Sequence, residues 1–192
     1  MKVLNHLMAM ALICASPITI AQQSPLNVVS KPSAAPTQKE PAITDLGWMD
    51  HNRMEQETTK VNELAQTKTG TPLRRDLTDL DTLQRIINNE LVEVDDHETQ
   101  QALGVVLGNV MLADFPTTFE WKVYEDDLGR SRAICVKHTS SCLFPVTMLS
   151  RRMEVGTKPD VKKIYDEAIL LMQKHLPKLP YDGGIMYKLP RN

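Results

Sequence analysis

Three consecutive acids, Glu125-Asp126-Asp127, stand directly ahead of Leu128-Gly129-Arg130. Carboxylates held close together divide acid and base work between them when burial moves their proton affinities apart. That makes Glu125, Asp126 and Asp127 the catalytic candidates, suited to a small hydrolase. The surroundings favour a plainer role. Asp-Asp-Leu-Gly is turn chemistry, and charged residues on a turn are ordinarily solvated. Gly129 suits a position that needs positive φ, and Arg130 is placed to brace the fold by reaching Asp126, Asp127 or a helix C-terminus. Asp126, Asp127 and Arg152 are therefore ligand-contact candidates, while Gly129 and Arg130 are expected to be structural.

Other chemistry-bearing residues are sparse. Cys135 and Cys142 enclose six residues, and a hairpin centred between His138 and Thr139 puts them opposite each other across two strands. A structural disulfide is expected there rather than a redox pair, because the C-x-x-C spacing that tunes thiol reactivity is missing. His51, His97, His138 and His175 are scattered over separate elements, with no metal-ligand spacing. His97 lies among Asp95, Asp96 and Glu98, acids that a helix N-terminus attracts without any metal. No nucleophile elbow, phosphate loop or dinucleotide fingerprint occurs, so neither metal nor cofactor is expected.

The N-terminus carries an address. Met1-Lys2 is followed by a mostly apolar run over residues 3–13, then Pro17 and the small-residue site Thr19-Ile20-Ala21. This is the layout of a secretory signal peptide cut after Ala21, and the apolar run is short for a membrane span. The alternative is retention as an anchor; Ile13 before Cys14 argues against a lipoprotein. A periplasmic or secreted protein is expected, and its oxidising compartment suits the cysteine pair.

These residues need a scaffold. The chain has 192 residues, a formal net charge of -2, 42% hydrophobic and 24% charged residues. That is the composition of a globular domain, without the basic field that nucleic acid requires. Residues 22–43 hold Pro25, Pro32, Pro36 and Pro41 among Ser, Ala and Gln, and are expected to form a flexible linker. Residues 44–177 are expected to form one α+β domain, followed by an irregular tail over 178–192. Within the domain, Thr44-Asp45 is expected to cap a long polar helix. A second helix follows with Leu80, Leu83, Ile86 and Ile87 on one stripe. A third is capped by Asp95 and Glu98 and carries Leu103, Val106, Leu107 and Val110. Gly104 and Gly108 share a side of that helix, so another backbone is expected to approach it closely. The period then changes to two around Phe119, Trp121 and Val123, announcing a three-stranded antiparallel meander over roughly 119–146. A short helix capped by Thr147 and a last one capped by Asp160 complete the expected order.

Several of these residues recur in one order: Ala102-Leu103-Gly104, Gly108, Trp121, Glu125 to Arg130, Phe144-Pro145, Met148 and Arg152-x-Glu154. Together with Leu80-x-x-Leu83-Gln84-Arg85 upstream and Asp160-Val161 downstream, the order resembles bacterial domain-of-unknown-function family 3806. The resemblance spans about residues 80–172. It implies a small bacterial domain without an assigned activity, and transfers no mechanism. Gly104 and Gly108, from their shared helix side, and Trp121, from its place on the half-buried strand, join the expected structural residues. The cysteine pair stands outside the pattern. With no catalytic constellation, the favoured function is a non-enzymatic module (adaptor, chaperone-like or immunity-type) that binds another envelope protein; a periplasmic hydrolase using the acidic turn is the alternative.

Overall fold

The computed structural model describes residues 40–177. The signal segment, most of the expected linker and the C-terminal tail lie outside the described residues.

The order of elements is β1 (Ala42–Asp45), α1 (Trp48–Thr69), α2 (Asp79–Asn88), α3 (His97–Asp114), β2 (Phe119–Asp126), β3 (Gly129–Val136), β4 (Cys142–Leu143), α4 (Pro145–Met153), α5 (Val161–Leu171) and a 3-10 turn at Gln173–His175. The class is α+β, as expected, but the antiparallel sheet has four strands in the order β1-β2-β3-β4 instead of three. The added strand takes up the end of the expected linker and the residues expected to cap a helix. Ala42 pairs with Glu125 and Asp45 with Lys122, so β1 joins the sheet through its backbone. Its side chains are mostly exposed and show no apolar alternation, which is why sequence periodicity misses it. The first helix begins instead after Gly47, whose N–H donates to Asp50 Oδ2 at 3.1 Å.

The meander itself follows the two-residue period. Phe119 pairs with Val136 and Asp126 with Gly129, leaving Asp127 and Leu128 as the loop. Gly129 has φ of +123°, a conformation side chains resist, and so absorbs the chain reversal. The third expected strand is cut to two residues because Pro145 opens α4. Proline lacks the N–H a strand ladder needs but fits a helix's first turn, so Phe144, not Thr147, precedes the helix.

α3 is the central element. Asp96, one residue after the expected Asp95, caps it by accepting from Thr99 N at 3.0 Å. Leu103, Leu107 and Met111 are fully buried with Leu83 and Ile86 of α2, Phe119 and Ile134 of the sheet, Leu149 of α4, and Tyr165 and Ile169 of α5. Glycine lets α4 come close. A Cβ on Gly104 would lie 2.4 Å from Val146 Cα and 2.7 Å from two carbonyl oxygens of α4. At Gly108 the neighbour differs from the expected backbone: the Trp121 ring lies where a Cβ would stand, 2.3 Å from its Cζ2. Asp160 caps α5 through Lys163 N at 2.9 Å, and Gln84 ties α2 to that start by accepting from Val161 N at 2.8 Å.

Candidate functional site

The acidic turn at the end of β2 is open. Asp126 Oδ1 accepts from Leu128 N at 2.8 Å, closing a local turn, and Leu128 is 96% exposed. Glu125 and Asp127 are exposed as well. Arg130 braces neither of them. Its Nη2 donates to Asp50 Oδ2 at 2.7 Å, joining β3 to the first turn of α1. Its partner is none of the three expected ones, Asp126, Asp127 or a helix C-terminus, because the sheet carries Arg130 towards the first turn of α1, an element far away in the chain. Arg152 is exposed near the end of α4 and donates to the Met148 carbonyl of its own helix. The structure thus leaves Asp126 and Asp127 side by side at the turn and Arg152 on α4, and none of the three lines the clefts described next.

The largest of these clefts, about 720 Å³, lies between α1 and α3. Leu46, Met54, Leu112, Pro116 and Trp121 supply apolar wall, while His51, Glu55, Thr58, Asn62, Arg75 and Asn109 supply polar groups. Volume and mixed lining match a site for a small molecule or a few peptide side chains. Three of its residues form a directed chain of hydrogen bonds. Trp121 Nε1 donates to Asn109 Oδ1 at 2.9 Å, Asn109 Nδ2 donates to Thr58 Oγ1 at 3.2 Å, and Thr58 Oγ1 donates to the Met54 carbonyl at 2.8 Å. The sheet, α3 and α1 are thereby locked around one wall, and the indole N–H is satisfied while its six-membered ring sits against Gly108. Trp121 and the two glycines do come together, at this wall and beside α4.

One rim of the cleft is shaped by a buried acid. Asp79 accepts from Arg74 N and Arg75 N, each at 2.8 Å, and is almost fully enclosed. Burial pushes its carboxyl above the ordinary carboxylate range, against the pull of those two N–H groups. The clasp holds Arg75 at φ of +60° on the cleft's edge. Behind α1, Glu57 is 5% exposed and Arg132 10% exposed; Arg132 engages both Glu57 oxygens, and Arg53 Nε reaches Oε1 at 3.1 Å.

Sequence reasoning missed most cleft residues. Besides Trp121, the local signal was Asn109, a polar residue interrupting the apolar stretch of α3. Thr58, Asn62 and His51 look like the solvated face of a polar helix until α3 is set beside them. Cys135 and Cys142 stand directly opposite in the β3–β4 register and are joined. Among the described residues, no group of three or more His, Cys, Asp or Glu is arranged to hold a metal ion.

A family model described as a domain of unknown function, DUF3806, matches residues 79–165, supporting the resemblance read from the residues. The match includes Asn109 and Trp121 but not β1 or α1. No curated protein matches the chain. A crystal structure of a protein from Bacteroides thetaiotaomicron VPI-5482 superposes with a TM-score of 0.60 at 13% identity, covering 69% of this chain and 48% of that one. The likeness is one of fold, and this chain spans about half the length of that protein.

Proposed function

We propose that the protein is an exported, non-enzymatic binding module whose α1–α3 cleft receives a segment of another envelope protein. One observation carries this reading: the cleft joins an apolar wall to a pre-bonded polar chain, Trp121–Asn109–Thr58, while the acids suited to hydrolysis stand on an open turn. Trp48 and Met49, which lie in sequence between the lining residues Leu46 and His51, are 75% and 73% exposed. Large apolar and aromatic side chains left in solvent are typical contact points for a protein partner. No helix among the described residues is long and apolar enough to cross a membrane. The signal-like start over residues 1–21 and the Cys135–Cys142 bridge are compatible with an extracytoplasmic location.

Two measurements test the reading. Intact mass of the extracytoplasmic form should correspond to a chain beginning at Gln22; a full-length mass confined to membranes overturns export. A photo-crosslinker at Met49 should capture one defined envelope protein, and Asn109→Leu should abolish that capture while the same probe at Leu170 captures nothing. Equal capture from both positions, or none, overturns the binding role.

A further inference from the structure

A second cleft, of about 270 Å³, lies on another flank of α1, against the start of β3. It shares no lining residue with the Trp121 cleft. Three guanidiniums line it, those of Arg53, Arg130 and Arg132, with Ser131, Gln101 and the carboxylate of Asp50. Helical spacing puts Asp50, Arg53 and Glu57 on one side of α1, and β3 delivers Arg130 and Arg132 to meet them.

The acids in this cluster are engaged. Arg132 and Arg53 take the Glu57 oxygens, and Asp50 Oδ2 accepts from both Arg130 and the Gly47 backbone. Arg130 holds the Asp50 carboxyl below the ordinary carboxylate range, so it stays ionised and pairs with that guanidinium. Glu125 faces Arg130 in the strand register but does not line the cleft. Several donors are left over. Arg53 spends only Nε and Arg130 only Nη2, and the Ser131 hydroxyl and Gln101 amide make no hydrogen bond among the described residues. The three ion pairs therefore act as struts that hold unspent N–H and O–H donors around one small opening. Guanidinium donors in a fixed fork match the oxygens of carboxylate and phosphate groups.

We infer that this cleft binds an oxyanion group, the carboxylate or phosphate of a ligand, with the free amino groups of Arg53 as the principal contact and Arg130, Ser131 and Gln101 completing the shell. Asp50 is the one acid on the wall that an incoming anion must pass, and Arg130 offsets its charge. Arg53 is 63% exposed, so it can turn towards a ligand and can be replaced without opening the core.

The full chain, isotope-labelled, is titrated with inorganic phosphate and separately with succinate at constant ionic strength, against chloride as the control. Saturable shifts of the Gln101 side-chain amide and the Ser131 backbone amide are expected. Arg53→Gln should weaken them by about tenfold or more, and Ser131→Ala, which touches no ion pair, by a smaller factor. Saturation by phosphate alone identifies a phosphate-bearing ligand; saturation by both identifies oxyanion recognition in general, and either supports the site. Shifts spread over all basic residues without saturation, or equal binding by wild type and both variants, overturn it.

Discussion

Replacing Gly104 by alanine opposes two effects of different sign. Alanine gains about 1 kcal/mol of helix propensity over glycine in the interior of a helix such as α3. The new methyl, however, would stand 2.4 Å from Val146 Cα and 2.7 Å from the Pro145 and Val146 carbonyl oxygens. Carbon–carbon contacts settle near 3.5–4.0 Å, so α4 must retreat by about 1 Å or more. No side-chain rotation relieves a contact with backbone. Overpacking costs about 1–3 kcal/mol when side chains yield, and the upper end applies where a helix must move. The expected net loss is about 2 kcal/mol. At a urea slope of about 1.5 kcal/mol per molar, the unfolding midpoint of the full chain should fall by about 1 M. Circular dichroism at a helical wavelength follows the helices, and indole fluorescence follows Trp121 over the signal of the exposed Trp48. A midpoint that stays or rises would mean that propensity wins and that α3 and α4 are not packed through Gly104. Gly108→Ala is the companion: its obstacles are the Trp121 ring at 2.3 Å and Pro145 Cγ at 2.8 Å, so it should displace the indole and reshape the cleft.

Glu57→Ala should cost about 3–5 kcal/mol in urea unfolding, because Arg132, 10% exposed, keeps its charge after losing the carboxylate; a loss below about 1 kcal/mol would show that water reaches the pair. Arg130→Ala should cost only about 0.5 kcal/mol, since its side chain is 53% exposed, and Asp127→Ala should be silent. The Arg130 pairing lowers the Asp50 pKa from its ordinary 3.8, so the stabilisation is present above that value and is lost as pH falls through the depressed folded-state pKa. The wild-type advantage over Arg130→Ala in urea midpoints should thus shrink only below 3.8; a difference that already vanishes at higher pH would refute the assignment. Reducing the Cys135–Cys142 bridge should lower stability by about 2 kcal/mol, as closure of so short a loop allows, with no change in helix content by circular dichroism.

The elements that carry strong periodicity were legible without coordinates. The apolar stripes of α2, α3 and α5, the alternation through Phe119, Trp121 and Val123, the Asp160 cap and the opposed cysteines all follow from local spacing. Each depends on interactions within a few residues or across one tight turn, so the chain states them directly. Gly104 and Gly108 also signalled a close approach, though not to what. What approaches them, Val146 backbone in one case and the Trp121 ring in the other, depends on how α4 and the sheet dock on α3. The edge strand β1 was invisible for a related reason: its support is backbone pairing with β2, about eighty residues further on, rather than a pattern of its own. The same holds for the chemistry. The acidic turn attracted attention because its residues are adjacent in sequence, yet adjacency at a turn exposes them to water. Arg130 finds Asp50, Arg132 finds Glu57, and Trp121 reaches Thr58 through Asn109, each across more than fifty residues. Ion pairs and hydrogen bonds act over a few ångströms and take no account of chain separation, so tertiary packing alone decides which polar groups meet and where the clefts open.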